Sequence, residues 1–524
     1  MTESHLEIEH KYDAAADFAL PDLSGLPGVA DVRDAAPVRL HAAYFDTADL
    51  RLAARGITLR RRRGGADAGW HLKLPVPAGR LEVRAPLGRA RSVPGRLAAL
   101  VAAYTRGEPL RQVATLDTDR RVTLLLDGDG SPLAEVADDA VVGTVLDEDA
   151  DTRTATTRWR EVEVELVNGP PKLLMAAGRR LRKAGARESL ASSKLARVLG
   201  DKVRRRSGAP GSGGTPQRVG DVVVARLSTQ VDALLRHDPA ARRGEEDAVH
   251  QMRVAARRAR AVLRAYAPLF DRERVRPIGD ELRWLGGVLG EVRDLEVLRA
   301  RLTRRVEELA EPERPALHKP PHGPGAFIRV EDPVSSESVD EPVAPVPSWL
   351  DDLARQERTA YRRMNATLGE PRYFALLDAL EALVAEPPLT ARARRSAAEE
   401  MPGLLDRARG RLVRLHDVLA DADGPEDVET ARHDVRKAAK RVRYAAETAV
   451  PVLGADADRT RRNAKAVQTA LGEHMDALIT MRRIEEIAAT VRDPAEAFAL
   501  GRIHGVEQRA ADESLARFTA AWNA

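Results

Sequence analysis

The chain has 524 residues, and its 84 lysines and arginines nearly balance its 80 aspartates and glutamates, which leaves a formal net charge of +4. Hydrophobic residues make up 43% of the chain and cysteine is absent, which excludes global disorder, disulfide frameworks, thiolate metal sites and a cysteine nucleophile. Aromatic residues are only 4%, so the cores must consist mainly of alanine, leucine and valine, a composition that favours helices. At roughly 100–200 residues per domain, this length predicts two to four domains.

The N-terminal residues are polar and acidic, which argues against a signal peptide. No stretch of the sequence reaches the roughly 18 apolar residues that a membrane-spanning helix needs. We therefore expect a cytoplasmic protein without a membrane partner.

Short runs of alternating polar and apolar residues characterise residues 1–203. Turn signals such as Asp127-Gly128-Asp129-Gly130 separate some of these runs. Period-two alternation is typical of antiparallel strands. The runs that predict strands are 6–9, 57–62, 70–74, 122–126 and 162–166.

Residues 204–217 are rich in glycine, serine and proline, and we interpret them as a flexible linker. Residues 218–524 that follow are dominated by alanine, leucine, arginine and glutamate at helical spacing. Residues 311–348 interrupt this pattern with proline, glycine and serine, which predicts a disordered insertion. The predicted fold class is therefore α+β, with an antiparallel β domain followed by an all-α domain.

The helical part contains an internal repeat. The segment HQMRVAARRAR begins at His250, and HDVRKAAKRVR begins at His433. Further along, Leu289-Gly290-Glu291 with Asp294 matches Leu471-Gly472-Glu473 with Asp476. Two copies of one helical unit, related by a pseudo-twofold axis, would explain both matches.

Charged side chains alternate with apolar ones along the predicted strands, and alternate residues of a strand share a face. The acidic and basic residues so aligned are Glu7, Glu9 and Lys11; Arg60 and Arg62; Lys73; Glu82 and Arg84; and Glu161, Glu163 and Glu165. For any one strand, the simpler interpretation is the solvated face of an amphipathic sheet. Taken together, however, the strands separate carboxylates from guanidinium groups, which a single solvated face rarely does.

A closed barrel with a polar interior is the alternative interpretation. Its arginines and lysines would bind a polyanion through charge-assisted hydrogen bonds. Its carboxylates would hold a hard divalent cation such as Mg²⁺ through oxygen ligands. Phosphate chemistry uses both groups, because the metal neutralises charge on the phosphoryl oxygens.

An ordered set of motifs in residues 1–199 resembles the CYTH superfamily, the triphosphate tunnel metalloenzymes. It begins with Glu7-x-Glu9-x-Lys11 at the N-terminus. The motifs that follow are Tyr44-Phe45-Asp46-Thr47, Gly56-x-Thr58-Leu59-Arg60-x-Arg62, Trp70-His71-Leu72-Lys73, Glu135-x-x-x-Asp139 and Glu161-x-Glu163-x-Glu165. The resemblance implies an eight-stranded antiparallel β tunnel that binds triphosphate groups.

The resemblance also implies roles for individual residues. The implied metal ligands for Mg²⁺ or Mn²⁺ are Glu7, Glu9 and two of Glu161, Glu163 and Glu165, taken here as Glu163 and Glu165. The implied phosphate ligands are Lys11, Arg60, Arg62, Lys73 and one of Arg120 and Arg121, taken here as Arg121. Lys11 would also assist the chemistry, and Asp139 would lie near the water or the metal.

A basic face recurs in the two helical repeats. His250, Arg253, Arg257, Arg260 and Arg264 fall at offsets 0, 3, 7, 10 and 14, which lie on one side of a helix. A solvated basic face is the usual explanation for one helix. Surface helices often mix signs, however, so two same-sign faces at matching positions suggest a polyanion or an acidic partner.

This region resembles the CHAD domain, a conserved-histidine α-helical domain of two pseudo-symmetric four-helix bundles that binds inorganic polyphosphate in a basic groove. The residues that match its motifs are His250, Arg253, Arg257, Arg260, His433, Arg436, Lys437, Lys440 and Arg443. Nucleic acid is the competing polyanion, but the helices lack interleaved aromatic residues for base stacking, so we do not expect it as a partner. Histidine charge rises below about pH 6.5, so anion binding is expected to tighten on acidification.

The sequence thus predicts a Mg²⁺-dependent hydrolase of inorganic triphosphate, or of a related triphosphate, joined to a polyphosphate-binding domain. One alternative is a binding protein without turnover, which the helical domain targets to polyphosphate granules. A second alternative is an adenylate cyclase of the CYTH type, although no motif identifies an adenine pocket.

Overall fold

The computed structural model describes residues 4–77, 79–88, 92–146, 155–203, 218–310 and 347–523. The predicted linker, 204–217, and residues 311–346 of the predicted insertion lie outside these ranges. The chain divides into two compact units, of which the first comprises residues 1–211, 235–243 and 368–377 and the second the remaining residues. The predicted domain boundaries stay predictions.

One sheet of eleven strands forms the N-terminal region. The strands are β1 Ser4–Glu7, β2 Glu9–Ala14, β3 Asp31–Asp34, β4 Val38–Asp46, β5 Thr58–Arg63, β6 Gly69–Val76, β7 Gly79–Pro86, β8 Arg111–Leu126, β9 Pro132–Val145, β10 Ala155–Leu166 and β11 Arg187–Glu188. All the pairings in this sheet are antiparallel. The five predicted strand runs all fall within or beside these strands.

The first two strands close the sheet into a ring. Strand β1 pairs with β7, whereas β2, which begins after the single residue Ile8, pairs with β10. Between those two strands the pairing runs β7-β6-β5-β4-β8-β9-β10. If β1 and β2 are taken as one interrupted strand, the ring has eight members, which confirms the predicted antiparallel tunnel. The predicted single strand over 6–9 is corrected by the interruption at Ile8.

The polarity of this barrel is inverted over much of its wall, because apolar side chains face outward. Helix α1, Gly95–Thr105, packs with Leu97 and Val101 against the outward-facing Leu59 and Leu72. Helix α2, Pro171–Lys183, packs in the same way against the outer faces of β2, β9 and β10. Burying apolar area on the outside drives folding and leaves the interior for charged side chains.

Helix α3, Lys194–Leu199, occupies one end of the barrel. Its Leu195, Val198 and Leu199 pack against residues on the inward faces of β4, β8 and β9. Gly143 of β9 makes this approach possible, because a Cβ at that position would lie 2.2 Å from Cγ2 of Val198. The N-terminus of α3 is capped by the Ser193 hydroxyl, which accepts a hydrogen bond from the Ala196 amide.

Eight α-helices follow in residues 218–310 and 347–523, the described part of the second half of the chain. They are α4 Val219–Arg242, α5 Ala248–Ala265, α6 Arg272–Ala310, α7 Ser348–Thr367, α8 Pro371–Ala385, α9 Ala397–Ala420, α10 Pro425–Ala488 and α11 Pro494–Asn523. Helix α7 begins at Ser348, the last residue of the predicted insertion. Among the described residues, no helix is both long enough and apolar enough to cross a membrane.

The two sequence repeats correspond helix by helix. Helix α10 is broken at Gly454, whose φ of 55° and ψ of −126° are not helical. Gly454 lies 21 residues after His433, and Asp271, which precedes α6, lies 21 residues after His250. Helix α5 therefore corresponds to the first part of α10, and α6 corresponds to the part that follows the break.

Candidate functional site

The barrel encloses a cavity of about 760 Å³. Its basic lining residues are Lys11, Arg60, Arg62, Lys73, Arg80, Arg84, Arg120 and Lys194, and its acidic ones are Glu7, Glu9, Asp67, Glu82, Glu135, Glu163 and Glu165. The two signs are nearly balanced. A polyanion that entered alone would therefore be repelled by the carboxylates as well as attracted by the cations. A bound metal cation would reduce that repulsion.

The structure places Arg120 and Arg121 on opposite faces of β8. Arg120 lines the cavity, whereas Arg121 is exposed on the opposite face of β8. Successive residues of a strand point to opposite faces, so only one member of the pair enters the barrel. The register confirms which one, because Arg120 lies opposite Asp139 on the inward face of β9.

Three carboxylates lie directly opposite one another on neighbouring strands. Glu165 of β10 pairs in register with Glu9 of β2 on one side and with Glu135 of β9 on the other. Side chains so placed are about 4.5–5.5 Å apart at Cβ, and like charges in this arrangement repel. We call Glu9, Glu135 and Glu165 the carboxylate row. Glu9 and Glu165 are half-buried, and Glu135 is exposed.

The electrostatics of Glu165 reflect this crowding. Burial, together with the negative charges of Glu7, Glu9 and Glu163, raises the pKa of Glu165 to about 7, although Lys73 opposes the shift. Because neighbouring negative charges destabilise the charged form of Glu165, a cation bound beside it would stabilise that form. The row therefore has both the oxygen donors and the excess negative charge that suit a divalent cation.

A second acidic group, next to the first, already holds a cation from the protein. Single carboxylate oxygens of Asp139, Glu161 and Glu163 lie within 4.8 Å of one another, a spacing that could bind a metal ion. Lys194 Nζ, however, lies 3.0 Å from Asp139, 2.6 Å from Glu161 and 2.7 Å from Glu163. These charges outweigh the burial of Lys194 and raise its pKa. In this structure the ammonium of Lys194 therefore bridges all three carboxylates.

Lys11 links the two acidic groups. Its Nζ lies 2.9 Å from Glu9 Oε2 and also donates to Glu163. Burial disfavours the charge of Lys11, but Glu163 and Glu9 outweigh it and raise its pKa. The same pairing lowers the pKa of Glu163, against its burial. Lys11 is therefore an ammonium that can donate hydrogen bonds, and it is not poised as a general base.

The two arginines of β5 offer donors that the protein leaves unsatisfied. Arg60 and Arg62 share the inward face, and the Nε atom of each is buried without a hydrogen-bond partner. Arg60 donates to the hydroxyl of Tyr44, and Arg62 contacts Asp67. Burial and the neighbouring Arg60 and Arg120 lower the pKa of Arg62 to about 9. A bound anion would accept hydrogen bonds from these unsatisfied donors and would reduce the repulsion between the guanidinium groups.

Of these two predicted site residues, Lys73 lines the cavity and Asp139 does not. Lys73 Nζ lies 2.6 Å from Glu7 and 3.7 Å from Glu82, so it lines the cavity beside a predicted metal ligand. Asp139 is fully buried and accepts two hydrogen bonds from Arg120, at 2.7 and 2.6 Å. Asp139 therefore lies behind Arg120, outside the set of residues that lines the cavity in the described chain.

The repeat of the helical part is also a repeat of contacts. Arg253 Nη1 lies 2.8 Å from Asp294, and its guanidinium lies against Gly290. In the second copy, Arg436 lies against Gly472, where an added Cβ would meet Arg436 Nη2 at 3.3 Å, and 3.8 Å from Asp476. Each glycine leaves room for the arginine. The aspartate four residues after that glycine lies close to the same guanidinium group.

The two repeats share one cluster of cations, which we call the groove cluster: Arg253, Arg257, Arg436 and Lys440. Burial and then the charges of Arg436, Arg257 and Arg253 lower the pKa of Lys440 to about 7, against Asp476. Arg257 Nε donates to the hydroxyl of Tyr444 at 2.9 Å. A cluster that suppresses the charge of its own lysine favours an anionic ligand.

Other predicted groove residues make different contacts. Lys437 is exposed and lies 3.0 Å from Asp434, and Arg443 donates to Gln468 at 2.9 Å. The structure does not bring Arg260 to the groove cluster, since its charged neighbours are Arg264, Arg283, Asp280 and Arg441.

The two histidines are less basic than the sequence alone suggested. Burial first, and then nearby cations such as Arg293 and Arg253, lower the pKa of His250. Burial, Lys437 and Arg436 lower the pKa of His433. The expected gain of histidine charge is therefore shifted below pH 6.5.

Sequence reasoning assigned no role of their own to several charged residues that line the cavity, among them Arg80, Glu135 and Lys194. Alternation on β7 places Arg80 on the same face as Glu82 and Arg84, so one further step of the period would have found it. Lys194 had no such signal, because a helix inserted into the barrel brings it there.

Two domain families match the chain. The CYTH domain matches residues 5–199, and the CHAD domain matches residues 225–485. An uncharacterized protein found in two strains of Mycobacterium tuberculosis is 36% identical over 534 residues, which covers 99% of this chain and 96% of that protein. The chain therefore belongs to the family of proteins that join a CYTH domain to a CHAD domain.

Three solved structures are similar to parts of the chain. PptA from Streptomyces chartreusis is 22% identical with a TM-score of 0.45, covering 59% of this chain and 100% of its own. The CHAD domain of the plant Ricinus communis is 21% identical with a TM-score of 0.40, covering 59% and 89%. A Hippeastrum protein described as an adenylyl cyclase with a dominant triphosphatase activity is 17% identical with a TM-score of 0.22, covering 36% and 94%.

Proposed function

We propose that the chain is a divalent-metal-dependent hydrolase of inorganic triphosphate or a related triphosphate, and that its helical part binds inorganic polyphosphate. One observation carries the first half of the proposal. The three carboxylates of the row repel one another, and in the same cavity the Nε atoms of Arg60 and Arg62 are buried without hydrogen-bond partners. A metal cation and a phosphate chain would satisfy both at once.

The residues present fit a hard divalent cation, since all the candidate ligands are carboxylate oxygens. Glu9 and Glu165 would hold it, and Glu135 and Glu7 lie on the same cavity wall. Glu163 would join them only if it were released from Lys11, Arg120 and Lys194. Bound there, Mg²⁺ or Mn²⁺ would neutralise charge on phosphoryl oxygens and orient a water molecule.

The basic residues would bind and orient the phosphate chain. Arg60 and Arg62 would donate to phosphoryl oxygens, because bidentate guanidinium contacts suit tetrahedral oxyanions. Lys73 would exchange its contact with Glu7 for a phosphate oxygen. Lys11, held as an ammonium, would stabilise charge that develops on the leaving phosphate.

Asp139 would act through its neighbours instead of touching the substrate. It holds Arg120 by two hydrogen bonds and lies 3.0 Å from Lys194. Both of those cations line the cavity. In this proposal, Asp139 keeps them directed at the phosphate chain, and Arg120 takes the place that the sequence gave to Arg121.

The test is a product analysis of the purified chain with Mg²⁺ and four separate substrates: inorganic triphosphate, ATP, thiamine triphosphate and long-chain polyphosphate. The proposal expects phosphate release, fastest from a short triphosphate. Cyclic AMP from ATP would establish a cyclase, and binding without any product would establish a binding protein.

For the helical part, the supporting observation is the groove cluster, in which Arg253 and Arg257 of one repeat join Arg436 and Lys440 of the other. Such a cluster suits a chain of phosphates without bases, because Tyr444, the aromatic residue that contacts it, is buried and offers no open ring face on which a base could stack. Association with polyphosphate granules in the cytoplasm would follow from this binding.

A further inference from the structure

A second basic pocket, of about 360 Å³, lies between α5, α9 and α10. Its charged lining residues are Arg264, Arg407, Arg411 and Arg441, and none of the residues that line it in the described chain is acidic. Arg264 continues the basic face of α5, but neither the groove cluster nor the tunnel includes any of these four arginines. The internal repeat explains why they have come together.

The repeat assigns each residue of α5 a partner in α10. Arg258 and Arg441 both lie eight residues after the repeat histidine. Arg264 and Glu447 both lie fourteen residues after it. At the first of these positions the two copies carry the same charge, and at the second they carry opposite charges.

In one half of the domain, this difference produces a closed ion-pair site. Glu447 Oε1 lies 2.7 Å from Arg226 of α4 and 3.1 Å from Arg258 of α5. All three side chains are less than a third exposed. A carboxylate supplied by the protein therefore pairs with both guanidinium groups.

In the other half, the carboxylate is replaced by a further cation. Arg441 takes the position of Arg258, and Arg264 takes the position of Glu447. Burial, and then the charges of Arg264 and Arg411, lower the pKa of Arg441. Within the described part of the chain, no hydrogen bond or ion pair joins the four arginines of the pocket to a carboxylate.

We propose that this pocket binds a phosphoryl anion, which takes the place that the Glu447 carboxylate has in the other half. Four guanidinium groups around one space supply parallel N–H donors that match phosphate oxygens. The anion is either a free orthophosphate or pyrophosphate, or one unit of a longer phosphate chain. The free anions and the unit of a longer chain present the same phosphoryl oxygens and the same sign of charge.

This pocket is separate from the groove cluster. Lys440 and Arg441 are adjacent in sequence, yet the charged neighbours of Lys440 are Arg436, Arg257, Arg253 and Asp476, whereas those of Arg441 are Arg264, Arg411 and Asp434. The inference therefore requires neither turnover in the tunnel nor binding in the groove.

The decisive variant is Arg264→Glu, which rebuilds the ion-pair site of the other half. It is made in the full chain, and Arg502→Glu, an exposed residue of α11, is the control with the same change of net charge. Orthophosphate, pyrophosphate and long-chain polyphosphate are each titrated by calorimetry without divalent metal. Thermal unfolding is followed with and without pyrophosphate, against sodium chloride of equal ionic strength.

Relative to Arg502→Glu, Arg264→Glu is expected to weaken pyrophosphate binding at this site by at least about tenfold. It is also expected to unfold at a higher temperature without anion, because the new carboxylate meets Arg441 and Arg411. Arg411→Ala should weaken binding without that thermal gain. A loss confined to long-chain polyphosphate would identify the site as part of a longer chain path, and a loss for all three anions would identify a site for free anions. Equal affinities in Arg264→Glu and Arg502→Glu for every anion would overturn the inference.

Discussion

Lys194 Nζ lies 2.7 Å from Oε1 of Glu163, one of the glutamates that the sequence assigned to a metal. The same ammonium contacts Asp139 and Glu161, so the protein supplies a cation of its own to the inner acidic group. Among the residues that the structure describes, no ammonium contacts all three members of the carboxylate row beside it. This difference decides which glutamates we expect to respond to a divalent metal.

Replacement of Lys194 by methionine leaves the inner acidic group without its shared ammonium. We expect the free energy of unfolding to fall by about 3–5 kcal/mol near neutral pH, the scale for removing one partner of a buried ion pair. Denaturant unfolding measures this, with Lys183→Met, at an exposed position of α2, as the control. Equal stability of the two variants would show that Lys194 is not the cation of the inner group.

Replacement of Glu9 or Glu165 by glutamine keeps the size of the side chain and removes a charge from the carboxylate row. We expect each variant to lower the rate of triphosphate hydrolysis with Mg²⁺ by at least about tenfold, or about 1.4 kcal/mol in barrier height, while the fold survives. Glu188→Gln, on the exposed strand β11, is the matched control. Rates in Glu9→Gln and Glu165→Gln as high as in the control would refute the metal assignment.

Removal of Arg60 or Arg62 by alanine substitution should weaken triphosphate binding by about 1.5–3 kcal/mol, because each provides charged donors to the phosphate chain. Calorimetry with the full chain gives the affinities. Arg121→Ala is the control, since Arg121 is exposed on the opposite face of β8. A loss in Arg121→Ala equal to that in Arg60→Ala would contradict the orientation of β8.

The groove cluster is tested by replacing Arg253, Arg257, Arg436 and Lys440 together with alanine. We expect this variant to lose nearly all affinity for long-chain polyphosphate, whereas replacement of the exposed Arg358, Arg394, Arg502 and Arg509 leaves most of it. The unmodified chain should bind polyphosphate more weakly as salt is raised, because several cationic contacts release counterions. Titrations with polyphosphate and with single-stranded DNA, at two salt concentrations, measure both effects. Equal or tighter binding of DNA would favour a nucleic-acid module.

Polyphosphate binding should depend on pH through Lys440, whose pKa is lowered to about 7 chiefly by burial and by the neighbouring arginines. Below pH 7 the lysine is charged before the anion arrives, and above pH 7 the anion must bind together with a proton. We expect affinity to fall about tenfold between pH 6 and pH 8. Lys440→Arg, which stays charged, should bind with nearly constant affinity over that range. The same pH dependence in this variant would exclude Lys440 as its source.

The barrel and the helical repeat could be predicted from the sequence, because each leaves a periodic pattern. Alternation on β5 places Arg60 and Arg62 on one face whatever the strand pairs with. The matching positions of Gly290 and Gly472 likewise indicated two copies of one helical unit, and in the structure each glycine lies against the corresponding arginine, Arg253 or Arg436.

The choice between Arg120 and Arg121 could not be made from the sequence. A shift of one residue along a strand reverses every side chain. Strand β8 offers little contrast between its faces at this point, since Thr118 and Val122 flank Arg120 on one side of the strand, and Asp119 and Thr123 flank Arg121 on the other. Only the pairing with β9, which places Arg120 opposite Asp139, resolves the choice.

Lys194 was beyond sequence reasoning for a different reason. Its position depends on the entry of α3 into the barrel, which Gly143 permits through a contact 55 residues away from Val198 along the chain. Neither residue carries a local pattern that would indicate this contact. Long-range packing of this kind decides which carboxylates the protein neutralises itself.

Hydrolysis of inorganic triphosphate by the full chain, followed by ³¹P NMR with Mg²⁺ and then with excess chelator, tests the central claim most directly. We expect the triphosphate signals to convert to orthophosphate and pyrophosphate with Mg²⁺ and to persist with the chelator. Triphosphate that stays intact with Mg²⁺, or that is hydrolysed at the same rate by Glu9→Gln, would contradict the account.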